Sequence, residues 1–433
     1  MIGKHFKRSF QTTNLFFKLM GIRFRCNKNF FDHIQCYWLF YFNILWLNRD
    51  LLGEILFVVF GVMSGESFVD LTYMLPCIAM CLLGNMKTCL LIIYSKEVKD
   101  LIDTLKNMSF HDDDMSDERS SYVDDSNDYV YDRVDYVDGT CAANVDETRD
   151  CVDEIFKKTL PFMYSAIKVQ KICNVLVVTN FGLNPMFLMV LNYHSTGQFG
   201  LFMPFHIWYP FNAFNYWIFP FVYIHQVYSA YLAAFTVYGP DTLFYVCSTF
   251  IAIQFRLLQN NLEAIIPLNY TSKIEEVNEF NMTIKRIVKW HLELIRCVQL
   301  LEKIFSKSTL FNAITSSFLI CLTGFNVTAI DNVPFMLSFI SFLLVTFLQI
   351  YFFCCFGDMI MQSSVEVAEA VYNSRWYMVE TSLARELMII LIKAQIPCKI
   401  TAFGFADINL RAFMRILSTS WSYFTLLKTM YST

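Results

Sequence analysis

Apolar residues gather along this chain in runs long enough to cross a bilayer, and the stretches between them are polar. A spanning helix takes about 20 mostly apolar residues. Six runs meet that length: Tyr37–Val62, Leu71–Tyr94, Ile172–Asn192, Tyr216–Tyr238, Ser308–Ile330 and Pro334–Phe356, the last two joined by the short turn Asp331-Asn332-Val333. A seventh lies within Thr401–Met430. From Ile416 to Met430 that stretch is apolar and hydroxylic, with one charge, Lys428.

Several positions interrupt this pattern. The first run carries Asn48, Arg49, Asp50 and Glu54 near its middle. Buried charges in a span are costly and mark pairing or a cavity; alternatively, 30–47 is partly interfacial and the span is displaced toward 43–64. In the second run Lys87 reads as a side chain that snorkels to the interface. Asn180 and Asn184-Pro185 interrupt the third. Leu387–Pro397 is apolar but too short to span, and is expected to be a cytoplasmic helix packed before the last segment. Asp241–Lys307 is too polar to span. Within it Ile284, Ile287, Val288, His291, Leu294, Ile295, Val298, Leu301 and Phe305 keep a helical stripe, and Pro267-Leu268-Asn269 breaks it from the helix before. His291 lies on the stripe and reads as a hydrogen-bonded core histidine rather than a ligand.

Composition agrees with the pattern. Hydrophobic residues make up 55% and charged ones 17%, and there are 44 phenylalanines; soluble domains carry about 25% charged residues. No apolar core followed by a small-residue cleavage site opens the chain, so no cleavable signal peptide is expected. Lys and Arg are absent from Ile172 through Phe255 and from Ser308 through Ser374, and they concentrate in 1–36 and 256–307. By the positive-inside rule the amino terminus is cytoplasmic and, after seven crossings, the carboxyl terminus is outside. That orientation is opposite to a G-protein-coupled receptor. Residues 111–154 hold 16 acids and three arginines, a local charge of −13 that leaves +9 for the rest of a chain whose total is −4. This segment has no helical period and reads as disordered. The cysteines fall in spans or cytoplasmic segments, which argues against an extracellular disulfide framework.

The expected organisation follows: a cytoplasmic amino terminus (1–36), two spans and the start of a loop (37–110), the acidic insert (111–154), and the third and fourth spans with their outer loop (155–240). After these come a cytoplasmic helical anchor segment (241–307), two more spans (308–356), further anchor helices (357–400) and the final helix (401–433). The fold class is an all-α membrane protein of seven transmembrane helices in inverted topology.

Two regions carry candidate chemistry. The outer loop Tyr193–Asn215 has no Lys, Arg, Asp or Glu and is dense in aromatics. It reads either as an interfacial aromatic belt or as the lid of an apolar cavity. Facing such a cavity would be Asn184 and Phe187 from the third span, Trp217 and Phe221 from the fourth, and Phe335 and Phe339 from the sixth. His225 suits a helix–helix hydrogen bond or a ligand contact equally. A cavity of this kind fits a small, volatile, mostly apolar ligand. The final helix is either an ordinary packed span or a pore helix, because small hydroxyls allow close packing and tolerate water. Nucleophile-elbow, Walker and zinc-protease patterns are missing, so no enzyme is expected, and neither a cofactor, a metal nor a nucleic-acid partner.

Five pieces of the chain carry a resemblance. SWSYFTLL (Ser420–Leu427), preceded by Leu410, Phe413 and Ile416-Leu417, resembles the closing signature of insect odorant receptors. VEVAEAVYNSRWY (Val365–Tyr377), IKRIVKWHLELI (Ile284–Ile295), GNMKTCLLII (Gly84–Ile93) and WYPF (Trp208–Phe211) are similar to other stretches of that family. The resemblance implies seven helices with the amino terminus inside, in the plasma membrane of olfactory sensory neurons. It also implies a heterotetrameric, odorant-gated, non-selective cation channel formed with a shared co-receptor subunit, with the last helices lining one pore and the cytoplasmic helices forming an anchor. On that resemblance Leu426 and Met430 fall at the apolar constriction, and Thr419 and Ser422 continue their face inward. A gustatory receptor of the same superfamily is the near alternative, and a G-protein-coupled chemoreceptor the distant one. The chain departs from the family pattern at Asp407–Phe413, at Trp421 and in the acidic insert. Arg411 and Arg415 put positive charge near the inner mouth, which suits a minority of such subunits per channel.

Overall fold

A computed structural model describes residues 2–22, 30–66, 71–110, 145–198, 200–267, 274–329 and 333–432. The described chain is helical throughout apart from loops and a single isolated bridge between Thr401 and Asp407. The helices are α1 (Ile2–Met20), α2 (Phe30–Ser64), α3 (Leu75–Ile93), α4 (Ser95–Phe110), α5 (Val145–Thr196), α6 (Phe219–Glu263), α7 (Ile274–Ala329), α8 (Val333–Asn373), α9 (Thr381–Ala394) and α10 (Leu410–Ser432). A single 3₁₀ turn, Trp376–Met378, precedes α9.

The centre of the bundle is α6, which packs against α1, α3, α5, α7 and α8. From Thr236 to Phe255 every residue of α6 is buried, so it is a core helix with no polar face. Tyr238 donates to the carbonyl of Ile167 (2.6 Å) and Tyr245 to Oε1 of Gln170 (2.9 Å), tying α6 to α5. In an apolar surround, such bonds satisfy groups that water cannot reach.

The polar segment expected to follow the fourth span is the same helix as that span. α6, α7 and α8 run unbroken through positions 240, 307 and 356. Their inner ends, with α1, α4 and α9, enclose the largest apolar core, which includes Phe244, Phe353, Leu294, Leu301 and Leu387. His291 is buried there with its ring edge-on to Phe255. α9 begins six residues before the short helix expected at Leu387–Pro397 and ends three residues before its expected end.

Five of the described helices are long and apolar enough to cross a membrane: Leu75–Ile93, Val152–Thr196, Phe219–Glu263, Phe280–Ala329 and Val333–Met378. α2, with Arg49, Asp50 and Glu54, and α10, with Arg411, Arg415, Lys428 and many hydroxyls, are too polar to join them by composition.

Three expectations change. Lys87 does not snorkel: it is buried and its Nζ sits 2.6 Å from Oδ1 of Asp241. The other Asp241 oxygen accepts from Gln349 (2.9 Å). The geometry starts at Gly84, where a Cβ would collide with Thr236; the glycine lets α3 and α6 approach until Lys87 meets Asp241. Second, Asn184-Pro185 does not end a helix, and α5 continues through it to Thr196. Near that proline the hydroxyl of Tyr223 donates to the carbonyl of Gly182, tying α6 to α5. Third, 145–154, expected to be disordered, forms the start of α5, because Phe156, Leu160 and Met163 just beyond it are buried in the inner core. The rest of the acidic insert (111–144), the segment 268–273 and the turn 330–332 lie outside the described residues.

Candidate functional site

Between α2, α3, α5, α6 and α8 lies a cavity of about 90 Å³. Its walls are largely apolar, with Cys81 from α3, Val177 and Phe181 from α5, Ala230 and Ala233 from α6, and Phe342 from α8. The outer loop closes it: Phe205 and Ile207 are part of the lining. Two anchors hold the loop down. Gln226 of α6 grips the Phe205 backbone from both sides, accepting from its N–H and donating to its carbonyl (3.1 Å each). At Gly53 of α2 the Trp208 N–H donates to the carbonyl (3.0 Å), and a Cβ on Gly53 would strike Ile207.

The cavity carries two buried carboxyls one helical turn apart, Asp50 and Glu54. Asp50 is well supplied. Arg49 Nη1 donates to it at 2.8 Å and Ser229 bonds its other oxygen. His225 Nδ1 approaches that oxygen to 3.5 Å, too far for a hydrogen bond. Ser229 in turn accepts from Trp46 Nε1 (3.0 Å), and Trp46 stacks on His225 with ring centroids 4.6 Å apart. Arg49 lies over the Tyr209 ring of the loop at 4.6 Å. Glu54 is different: its Oε2 is buried and meets no hydrogen-bond partner.

The six residues expected around a pocket divide in two. Asn184 and Phe339 are buried, and Asn184 donates to Ser338 (3.2 Å). Phe339 and Phe335 meet Tyr73 edge-on, and Phe339 also meets Phe181, which lines the cavity. Phe339 stands behind the wall, Phe335 packs in the same apolar cluster as the lining residues Val177 and Phe181, and Asn184 joins α5 to α8. Phe187, Trp217 and Phe221 are exposed, Trp217 at 86% and Phe221 at 75%. α6 buries Phe219, Val222, Tyr223, Gln226 and Ser229, so Phe221 shares the opposite face with Ile224 and Tyr228. None of the six is in the lining. A wider, open groove of about 370 Å³ lies outside, between Thr179, Met186, Tyr223 and Tyr231 of α5 and α6.

The polar lining residues Asp50, Glu54 and Gln226 are not among those six, although Asp50 and Glu54 read in the sequence as marking pairing or a cavity. Their signal was present: ionisable residues within an apolar span mark functional sites by default, and the two carboxyls at i, i+4 share a face.

At the other end of the chain, α10 packs on α7 and α8. Phe424 lies against Gly324, Tyr431 against Phe325 and Phe413 against Tyr351, and Ser420 is fully buried. The opposite face is exposed. Thr419, Ser422, Leu426 and Met430 all lie on it, as do Arg411 and Arg415. Among the described residues no group of His, Cys, Asp and Glu has the arrangement to hold a metal ion.

A helical bundle with long apolar helices and a lidded internal cavity defines the class: an all-helical, multi-pass membrane protein. The chain belongs to the 7tm odorant receptor family, whose pattern matches residues 148–421. It is 26% identical over 389 residues to Odorant receptor 67c of Drosophila melanogaster, covering 89% of this chain and 86% of that protein. Similarity to Odorant receptor 13a of the same fly is 29% over 242 residues, 53% of this chain and 57% of the relative. The fold is shared with the olfactory receptor OR5 of Machilis hrabei, solved in complex with eugenol: TM-score 0.76, 15% identity, 99% of this chain and all of that one.

Proposed function

We propose that this odorant receptor is the ligand-binding subunit of an odorant-gated, non-selective cation channel, assembled with a co-receptor subunit in the plasma membrane of olfactory sensory neurons. The observation that carries the reading is the lidded apolar cavity, joined through α8 and α7 to a last helix whose hydroxyl-and-apolar face is uncovered. The proposed topology is seven spans, with α2 and α10 added to the five apolar ones, amino terminus inside and carboxyl terminus outside, as the charge distribution supports.

The ligand is a small volatile molecule held in the cavity, with Phe339 supporting its wall from behind, Phe335 in the same apolar cluster and Asn184 joining α5 to α8. At about 90 Å³ the cavity is smaller than the ~150 Å³ space that houses benzene in an engineered protein core. A volatile ligand therefore selects a state in which lid and helices have moved apart, and the population shifts toward it. In that state α10 rotates or withdraws so that the ring of Leu426 and Met430 widens, and an apolar constriction that was dewetted conducts. Thr419 and Ser422 line the path inward.

The test is current in cells that express the full chain with and without the co-receptor, challenged with a panel of volatiles. Odorant-evoked cation current that needs both subunits is expected. Current from the chain alone would favour the gustatory-type alternative, and a response abolished by blocking G proteins would sink the channel reading. An epitope tag after Thr433 should label on intact cells; labelling only after permeabilisation would overturn the inverted topology.

A further inference from the structure

The cavity lining contains one fully buried side-chain oxygen that the protein leaves without a partner, Oε2 of Glu54. Of the polar side chains in its lining, Asp50 is bonded by Arg49 and Ser229, Gln226 is committed to the Phe205 backbone, and Asn174 donates to the Gln170 carbonyl. Glu54 is 5% exposed and its Oε2 has no partner. Asp50, one turn away on the same face of α2, is of the same sign. Around Glu54 are the thiols of Cys77 and Cys81 and apolar wall. A carboxylate with no counter-ion in such surroundings takes up a proton instead of remaining charged. The neutral acid has a hydroxyl to donate, and a buried donor or acceptor left unmade costs more than the net worth of a hydrogen bond.

We infer that Glu54 is the polar recognition element of the cavity and that, as a neutral carboxylic acid, it donates a hydrogen bond to an oxygen-bearing volatile: a ketone, ester or alcohol with a short apolar body. The inference rests on the reading of this cavity as the odorant site. It excludes two neighbouring classes. A hydrocarbon of the same shape leaves Glu54 unpaired, which a site built around a buried polar group discriminates against. An ammonium ion would require Glu54 as a carboxylate and would place a second ion pair beside Arg49–Asp50. Arg49 neutralises Asp50 and bridges it to the lid through Tyr209, so the charged pair closes the site while the uncharged acid reads the ligand.

The experiment uses the full chain with its co-receptor and a matched set: heptane, methyl pentyl ketone, the corresponding secondary alcohol and the corresponding amine, repeated at neighbouring chain lengths. In the wild type the ketone and alcohol should be about tenfold more potent than the hydrocarbon, the scale of one hydrogen bond made good. Glu54→Gln retains an N–H donor and should keep that preference. Glu54→Leu should erase it by lowering ketone and alcohol potency to that of heptane, with surface labelling unchanged. A wild-type preference for the hydrocarbon, or a series in which no oxygenated member acts, overturns the proposal without any variant having to fold. So does an amine preference that Glu54→Gln abolishes, because Glu54 would then act as an anion. Ala233→Phe separates the two levels. If it silences the response while Glu54→Leu changes no potency ratio, the cavity is the site and Glu54 is not its reader. If it leaves the response intact, the cavity reading itself falls.

Discussion

Two clusters of charge flank the same central helix, α6, and their difference separates structure from recognition. Lys87, Asp241 and Gln349 form the inner one, where both Asp241 oxygens are used and the Phe353 ring lies 5.9 Å from Lys87. Asp50, Glu54, Arg49 and His225 form the outer one, which borders a cavity, leans on a loop and leaves Glu54 Oε2 unmatched. A carboxylate with both oxygens bonded fixes one packing of three helices. One with an unmatched oxygen costs stability and keeps a polar atom for something else. The inner cluster is a clamp; the outer one is a place where a ligand can be rewarded.

The largest effect should come from breaking the clamp. Lys87→Met leaves Asp241 buried and unpaired, and should cost about 3–5 kcal/mol, the usual penalty for removing one partner of a buried pair. The measurement is thermal unfolding of the solubilised, tagged full chain. The double variant Lys87→Met/Asp241→Leu should recover most of the loss. If Lys87→Met alone is neutral, the pair is not the tie between α3 and α6 that the distances suggest.

The next effect sharpens the contrast on the outer side. Ala233→Phe fills the cavity and should abolish odorant potency while costing only about 1–3 kcal/mol of stability. Trp217→Ala on the exposed face should leave both potency and unfolding nearly unchanged, within about 0.5 kcal/mol. A potency loss in Trp217→Ala equal to that in Ala233→Phe would move the site to the outer surface.

The smallest effect tests the inner core away from either cluster. In the stretch 241–307, which precedes the span Ser308–Ile330 in the proposed topology, burial, and then Lys393, hold His291 below its ordinary value of 6.5. The folded state therefore binds fewer protons than the unfolded chain once the pH drops under that value, and stability falls with acidification. Unfolding temperature should be flat above pH about 6.5 and decline below it. His291→Gln should flatten that decline, and an unchanged slope would show that other groups carry it.

How much of this was legible in the sequence depends on which force wrote each feature. The apolar runs named helices long enough to span, and the helical stripe through Ile284, Leu294 and Leu301 found the inner core. The pocket residues were harder. Phe221 and Phe339 look alike in the sequence, yet one is bare and the other buried at 1%. Lipid is as apolar as a core, so hydrophobicity cannot tell the two faces of a membrane helix apart. Lys87 misled for a related reason: snorkelling is the cheap fate of a lone lysine, and its partner Asp241 lies 154 positions away.

The sequence by itself determined the helical class, the anchor stripe, the charge asymmetry and the family, because each is written in composition, period or local motif. Only the tertiary structure decided that Lys87 is paired, that the outer loop is pinned at Gly53 and Gln226, and that Glu54 faces a cavity with one oxygen unused. These depend on which helices approach each other and at what rotation, and that is set by side-chain packing between segments far apart in the chain.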